Sequence, residues 1–209
     1  MIRIFIFSYS GDAAEAVACV RCARMSVPCA SVTVVDDASS PVQEETAEAL
    51  RSMGAEYVQS SWERHGNLRG PDCIRGMLSE MCREAEDDDI LVKVDCDTAL
   101  LDGGWLRWME QRPWCQMYTS GDFVNGDWRV FGCLYALRGW IARRLYREMD
   151  WTLLDNRAPE DWTIGREVLA RVPATLCRID EPWRKRSPWS VWTLSLIHIS
   201  EPTRHSLIS

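Results

Sequence analysis

Ile90-Leu91-Val92-Lys93-Val94-Asp95-Cys96-Asp97 decides the fold. The run is apolar and strand-like, and it launches two carboxylates one residue apart, hard oxygen donors that suit a divalent cation. Acidic turns after strands are common and mostly just solvated, so the weight of this pair rests on what surrounds it. Cys96 stands between the aspartates. In the alternating pleat of a strand it points away from both, and it is given no chemical role.

Upstream, strand-like and helix-like segments alternate. Ile2 to Phe7 is a β-rich run ending in Ser8-Tyr9-Ser10-Gly11-Asp12, where Asp12 is placed to cap a helix from Ala13 to about Met25. Ser31 to Val35 is a second strand ending in Asp36-Asp37-Ala38-Ser39-Ser40, followed by an amphipathic helix from about Val42 to Met53 and a stop at Gly54. Ala55 to Gln59 is a third strand. Arg64-His65-Gly66-Asn67-Leu68-Arg69-Gly70-Pro71 is a loop by its glycines and proline, and it feeds a helix from about Asp72 to Ala85. Repeated strand-helix units at this spacing predict an α/β fold: a mostly parallel central sheet with helices on both faces. In such sheets functional groups collect beyond the carboxyl ends of the strands, near the point where strand order reverses. Ser8-Tyr9-Ser10, Asp36-Asp37 and Asp95-x-Asp97 therefore share one rim.

Composition excludes several classes. With 209 residues, 46% hydrophobic and 26% charged, the chain is one globular domain with a full core. A net charge of −7 and a pI near 5.1 argue against a nucleic-acid groove, which needs a basic face. No apolar run approaches the roughly 20 residues that span a bilayer, and Met1-Ile2-Arg3 enters a strand rather than a signal peptide. A cytoplasmic protein without a transmembrane segment is expected. Nine cysteines, an odd number scattered through apolar segments, read as reduced and mostly buried thiols. Cys19-Val20-Arg21-Cys22 has the CxxC spacing, but it lies in an expected helix with no second pair at a zinc-like distance.

The stretch Leu194-Ser195-Leu196-Ile197-His198-Ile199-Ser200-Glu201-Pro202-Thr203-Arg204 looks like the in-frame translation of a transposon-end adapter used in sequencing libraries. Residues 194–209 are accordingly expected to be a non-native tail on a gene fragment, and residues 1–193 one domain, with a nucleotide-binding half to about 100 and an acceptor half beyond it. His198 and His205 fall in that tail, leaving His65 as the native histidine, expected on the surface of the glycine loop.

Neither G-x-G-x-x-G nor G-x-x-x-x-G-K-[ST] is present, so a phosphate on this rim would be met by a metal such as Mg²⁺ or Mn²⁺, or by single arginines. Arg64 and Arg69 either face solvent in the loop or reach a ligand. Asp36-Asp37 reads either as a cap on the following helix or as part of a site. Pro159-Glu160-Asp161-Trp162 precedes a helix running to about Ala170, and its acids either complement the helix dipole or do chemistry. Tryptophans are numerous from Trp105 onward. Most are expected in the core, with Trp128 and Trp162 beside the presumed site.

Taken together, Phe7-Ser8-Tyr9-Ser10, Val35-Asp36-Asp37-Ala38-Ser39, Gly66-Asn67-Leu68-Arg69-Gly70, Lys93-Val94-Asp95-Cys96-Asp97-Thr98 and Pro159-Glu160-Asp161 resemble, in order and spacing, the GT-A glycosyltransferases. The resemblance is greatest to the family-two group of inverting nucleotide-sugar transferases, and it runs from about Ile2 to about Leu169. It implies a GT-A, Rossmann-like fold and a metal-dependent hexosyltransferase-like enzyme that moves a sugar from a nucleotide-diphosphate donor, UDP-linked, to an acceptor hydroxyl on a glycan, lipid or small molecule. It also implies nucleotide contacts at Phe7, Tyr9, Asp36, Asp37, Arg69 and Asp95, and Mn²⁺ or Mg²⁺ on Asp97 and Asp95. The catalytic base would be Asp161, with Glu160 as the fallback, and acceptor contacts would come from Trp128 and Trp162. The segment Asn125 to Arg138 resembles the strand leading into a helix behind the acceptor site. The chain departs from the family in offering no histidine as a further metal ligand between Asp161 and the tail, so the metal shell is expected to be incomplete and turnover is in doubt. Two other readings remain: a non-catalytic nucleotide- or glycan-binding protein on the same fold, and a haloacid-dehalogenase-type phosphatase. The latter also uses Asp-x-Asp, but near the chain's start and with threonine two places after the second aspartate.

Overall fold

The computed structural model describes residues 1–64, 68–124, 127–180 and 196–198. Its seven-stranded sheet is built from β1 (Ile2–Ser8), β2 (Ser31–Asp36), β3 (Glu56–Gln59), β4 (Ile90–Asp95), β6 (Met117–Val124), β7 (Asp127–Arg138) and β8 (Cys177–Asp180), in the order β3-β2-β1-β4-β7-β6-β8. Strands β3, β2, β1 and β4 run parallel. Strand β7 lies antiparallel between β4 and β6, and β8 runs parallel to β6. The sheet is thus parallel from β1 through β4, as expected, and mixed beyond β4. A short strand β5 (Thr98–Leu100) stands outside the sheet and pairs antiparallel with β9 (Leu196–His198), which falls within the stretch read as a non-native tail.

The pleat of β1 sorts the core into two layers. Ile2, Ile4 and Ile6 pack with Ala16, Cys19, Val20 and Ala23 of α1 (Ala13–Ser26), Leu50 of α2 (Glu44–Ser52) and Leu106 and Met109 of α4 (Gly104–Glu110). Phe5 and Phe7 pack on the opposite face with Ile74, Met77 and Leu78 of α3 (Pro71–Cys82), Ile141 and Leu145 of α5 (Gly139–Glu148) and Ile164 and Val168 of α6 (Glu160–Arg171). Burial of these side chains at about 1.5–3 kcal/mol each supplies the main driving force for folding. All nine cysteines are free, and all but Cys29 are buried or half-buried.

Strand order places the site. The chain builds outward from β1 through β2 to β3, then crosses back to set β4 on the other flank of β1. The reversal falls between the carboxyl ends of β1 and β4, where a ligand crevice opens in sheets of this kind. Asp95 is the last residue of β4, level with Phe7 across the parallel pair. Among the described residues no helix is long and apolar enough to cross a membrane.

Candidate active site

The three loops of the rim are tied to one another. Ser10 N donates to Ser40 O at 2.7 Å, and Asp37 N donates to Ser8 O at 3.0 Å, so the loops after β1 and β2 form one ledge. Asp36 is fully buried. It accepts from the Ser8 hydroxyl at 2.9 Å, the Tyr57 hydroxyl at 2.6 Å and Val42 N at 2.8 Å. Asp37 accepts from Ser39 N and Ser39 Oγ through Oδ1, an Asx turn that explains an aspartate here without any ligand. Phe7 lies beneath the rim in the core, 6.3 Å from the Trp62 ring, because its place in the pleat points it away from solvent. Tyr9, by contrast, is exposed on the ledge.

The side chain of Asp12 does not cap α1. Its carboxylate instead accepts from Cys96 Sγ at 2.7 Å and from Arg64 Nη1 at 3.1 Å. Arg64 is therefore no solvated loop arginine: it is buried and lies 5.0 Å from the Tyr9 ring centroid. Burial, together with the bond to Asp12, pushes the Cys96 thiol well above its ordinary value, so Cys96 is a neutral structural donor under the Asp-x-Asp. Arg69 is exposed, and its backbone forms an isolated antiparallel bridge with Pro159, while Gly70 N donates to Ala158 O at 3.1 Å. That contact sets the glycine loop against the residue preceding the acid pair. Gly70 has φ +81°, and a Cβ there would sit 2.8 Å from the Asn156 carbonyl oxygen, so both the turn and the close approach require glycine. His65, Gly66 and Asn67 lie outside the described residues.

Glu160 and Asp161 open α6 and have different surroundings. Glu160 is buried, bonded to the Tyr135 hydroxyl, with its Oε2 3.5 Å from Lys93 Nζ. Burial pushes its carboxyl up to about 7 against the opposing pull of Lys93. Asp161 is half-exposed and accepts from Trp162 N at 2.8 Å. It packs over Gly132 of β7, where an added Cβ would lie 3.0 Å from Asp161 Cβ and 3.2 Å from Oδ2. Trp162 is exposed beside it. The backbone of Trp128 stands in β7, and its side chain lies outside the described part of the molecule.

Three site residues escaped the sequence reading: Lys93, Tyr135 and Asp12. Lys93 gave a signal, a lone ammonium inside an apolar central strand, since a buried lysine has to be paired. Tyr135 and Asp12 gave none, because their partners are 25 and 84 residues away. As for a cation, Asp95 and Asp97 are both half-exposed on the rim, and among the described residues no group of three or more His, Cys, Asp or Glu side chains converges. Two carboxylates fit Mg²⁺ or Mn²⁺, which bind through one or two carboxylates plus substrate phosphates rather than in a closed protein cage.

No family model matches the chain, and no curated protein matches it. Solved structures do. An active-site variant of LgtC superposes with a TM-score of 0.58 at 12% identity, covering 97% of this chain and 88% of that one. Mouse xyloside xylosyltransferase 1 gives 0.57 at 8% identity over 95% and 97%. The fold is that of the GT-A glycosyltransferases. Glucosyl-3-phosphoglycerate synthase of Mycobacterium tuberculosis, solved with Mn²⁺, UDP and glucosyl-3-phosphoglycerate, shares the GT-A fold with a TM-score of 0.56 at 12% identity, over 93% of this chain and 76% of that one.

Proposed function

We propose that the chain is a glycosyltransferase that takes a UDP-linked sugar at the β1–β4 switch point and passes it, with inversion, to an acceptor hydroxyl approaching from the α6 side. The observation that carries this reading is the facing of two different acidic groups across Lys93. Asp95, half-exposed at the end of β4 and followed by Asp97, contacts it from one side and the buried Glu160 from the other, and the half-exposed Asp161 adjoins Glu160 at the start of α6. Neighbours of the same fold support it, a galactosyltransferase solved with donor and acceptor sugar analogues and a synthase solved with Mn²⁺, UDP and glucosyl-3-phosphoglycerate.

On this reading Tyr9 offers its exposed ring to the base, and Asp37 accepts from base or ribose. Asp36, with both oxygens engaged within the fold, holds the ledge in place, as Phe7 does from beneath. Arg69 reaches the diphosphate with a guanidinium fork. Asp97 holds Mn²⁺ or Mg²⁺, and Asp95 meets ribose or shares the cation. When bound, the cation supplies Lewis-acid stabilisation of the leaving diphosphate. Asp161 takes the acceptor's proton as the acceptor oxygen bonds to the anomeric carbon. The bond to the diphosphate breaks, and its electron pair leaves with the diphosphate. The buried and doubly engaged Glu160 is the poorer base, so the assignment goes to Asp161. Trp162 and Trp128 flank the acceptor. Residues 1–193 are read as one such domain, residues 194–209 as an adapter-derived tail, and the protein as cytoplasmic.

Titration calorimetry of UDP with and without Mn²⁺ tests the donor half. Metal-dependent binding that disappears in Asp97→Ala is expected, and binding indifferent to Mn²⁺ would refute it. Nucleotide binding without UDP release from any UDP-sugar, by a protein carrying its native C-terminal sequence, would favour a non-catalytic binding protein.

A further inference from the structure

Lys93 is the middle residue of a chain of contacts that joins the two halves of the site. It stands opposite Tyr135 in the β4–β7 pair, and its side chain is 1% exposed, at the centre of the sheet. Its ammonium donates to Asp95 Oδ1 at 2.6 Å and to the Gly132 carbonyl, and lies 3.5 Å from Glu160 Oε2. The Tyr135 hydroxyl holds the other oxygen of Glu160. Gly132 is also the residue over which Asp161 packs. A single ammonium therefore contacts the donor-side carboxylate, the carboxylate beside the proposed base, and the backbone that seats that base.

We propose that Lys93 is a positioning residue: it fixes the rotamer of Asp95 on the donor rim and, through Glu160 and Gly132, sets the first turn of α6 at a defined distance from it. With Oδ1 engaged by Lys93, Oδ2 of Asp95 is the oxygen presented to a ribose hydroxyl or cation. An ammonium buried this deeply is retained only when paired and hydrogen-bonded. This inference rests on the donor-site reading above.

The alternative role is plain charge neutralisation, and two variants of the full chain separate them. At pH 8, above the Glu160 value of about 7, Lys93→Met combined with Glu160→Gln removes one positive and one negative charge, so neutralisation alone predicts a folded protein with wild-type affinity for UDP in Mn²⁺. Positioning predicts a folded protein whose Mn²⁺-dependent UDP affinity falls about 10–100-fold, the usual penalty for losing a residue that orients a metal ligand. Lys93→Arg keeps the charge but displaces its donors. Positioning predicts the same fall, and neutralisation predicts none. Calorimetry with UDP and MnCl₂, alongside circular dichroism, gives both readouts. Wild-type affinity in either folded variant overturns the proposal, as does failure of both to fold, which would make Lys93 purely structural. Absence of Mn²⁺-dependent UDP binding in the wild type overturns the donor-site reading instead.

Discussion

At the amino end of the β1–β4 seam one carboxylate, Asp89, accepts from two cations: the Met1 amino group at 2.8 Å and Arg3 Nε at 2.8 Å. At the carboxyl end one cation, Lys93, faces two carboxylates, Asp95 and Glu160, with Asp161 next along the chain. The first ties the start of β1 to the residue before β4, the second ties β4 to β7 and α6, and the central groups are opposite in sign. Burial alone would raise the Asp89 carboxyl, but its bonds to the amino group, Glu86 N and Arg3 hold it below the ordinary value. Glu160 is pushed up. The amino end is a closed clamp in which Glu84, its Oε2 4.0 Å from Arg3 Nη1, balances the second cation. The carboxyl end carries surplus negative charge, which a cation or a cationic transition state would relieve. On the proposed reading, structural and functional ion clusters in this molecule are distinguished by their charge balance rather than by burial.

The largest expected effect breaks the carboxyl end. Asp161→Asn keeps the side chain's shape over Gly132 but removes the base. UDP binding is expected to persist while UDP release from a UDP-sugar falls roughly 10²–10⁴-fold, the usual contribution of general-base help. Loss of both binding and release would make Asp161 structural. The matching break at the amino end is Asp89→Asn. It is expected to cost about 1.5–3 kcal/mol in urea unfolding, as for charge-assisted hydrogen bonds, and to leave UDP affinity unchanged. A shift in UDP affinity would show that the two ends are coupled through the seam.

A third prediction concerns the backbone. Gly70 and Gly54 both have positive φ, +81° and +79°. An alanine Cβ at 70 meets the Asn156 carbonyl, whereas at 54 it meets the far end of the Arg24 side chain at 3.1 Å. Gly70→Ala is therefore expected to cost about 1–3 kcal/mol and to displace Arg69 and Pro159 from their bridge, weakening UDP binding. Gly54→Ala is expected to cost about 1 kcal/mol and to leave binding intact. Equal effects on binding would mean that the Arg69 loop is not part of the site.

These contrasts also show what a single sequence reveals. The strand-helix order was legible because each unit carries its own periodicity and stop signals. The rim followed from topology, since residues at strand ends in a parallel sheet share an edge. The two acids of Pro159-Glu160-Asp161 were visible as a pair, but the division between them was not. That Glu160 is buried and Asp161 half-exposed depends on Tyr135, Lys93 and Gly132, which come from two other strands. Asp36 and Asp37 looked equivalent for the same reason. Tyr57, Ser8 and Val42 claim Asp36 from three separate segments. Asp12 looked like a cap because local geometry allowed it, and the distant partners Arg64 and Cys96 took its carboxylate instead.

The smallest expected effect tests the charge balance itself through pH. A carboxyl raised by folding binds more protons in the native than in the unfolded chain between its two pKa values. For Glu160 that window runs from the ordinary value of 4.5 to about 7. Across it, the Glu160 contribution to stability declines as pH rises. Asp89 has the opposite sign: its pKa is lowered by folding, so its contribution is fully present above the ordinary value of 3.8 and is lost as pH falls through the native value. Urea midpoints measured from pH 3 to 8 should therefore lose part of their acid limb in Asp89→Asn and part of their decline between pH 4.5 and 7 in Glu160→Gln. Saturating Mn²⁺ without nucleotide should flatten that same decline in the wild type, because positive charge held beside Asp95 favours ionised Glu160. A decline unaltered by the ligand would mean that Glu160 does not sense charge on the donor rim, and that the two carboxylates are independent despite sharing Lys93.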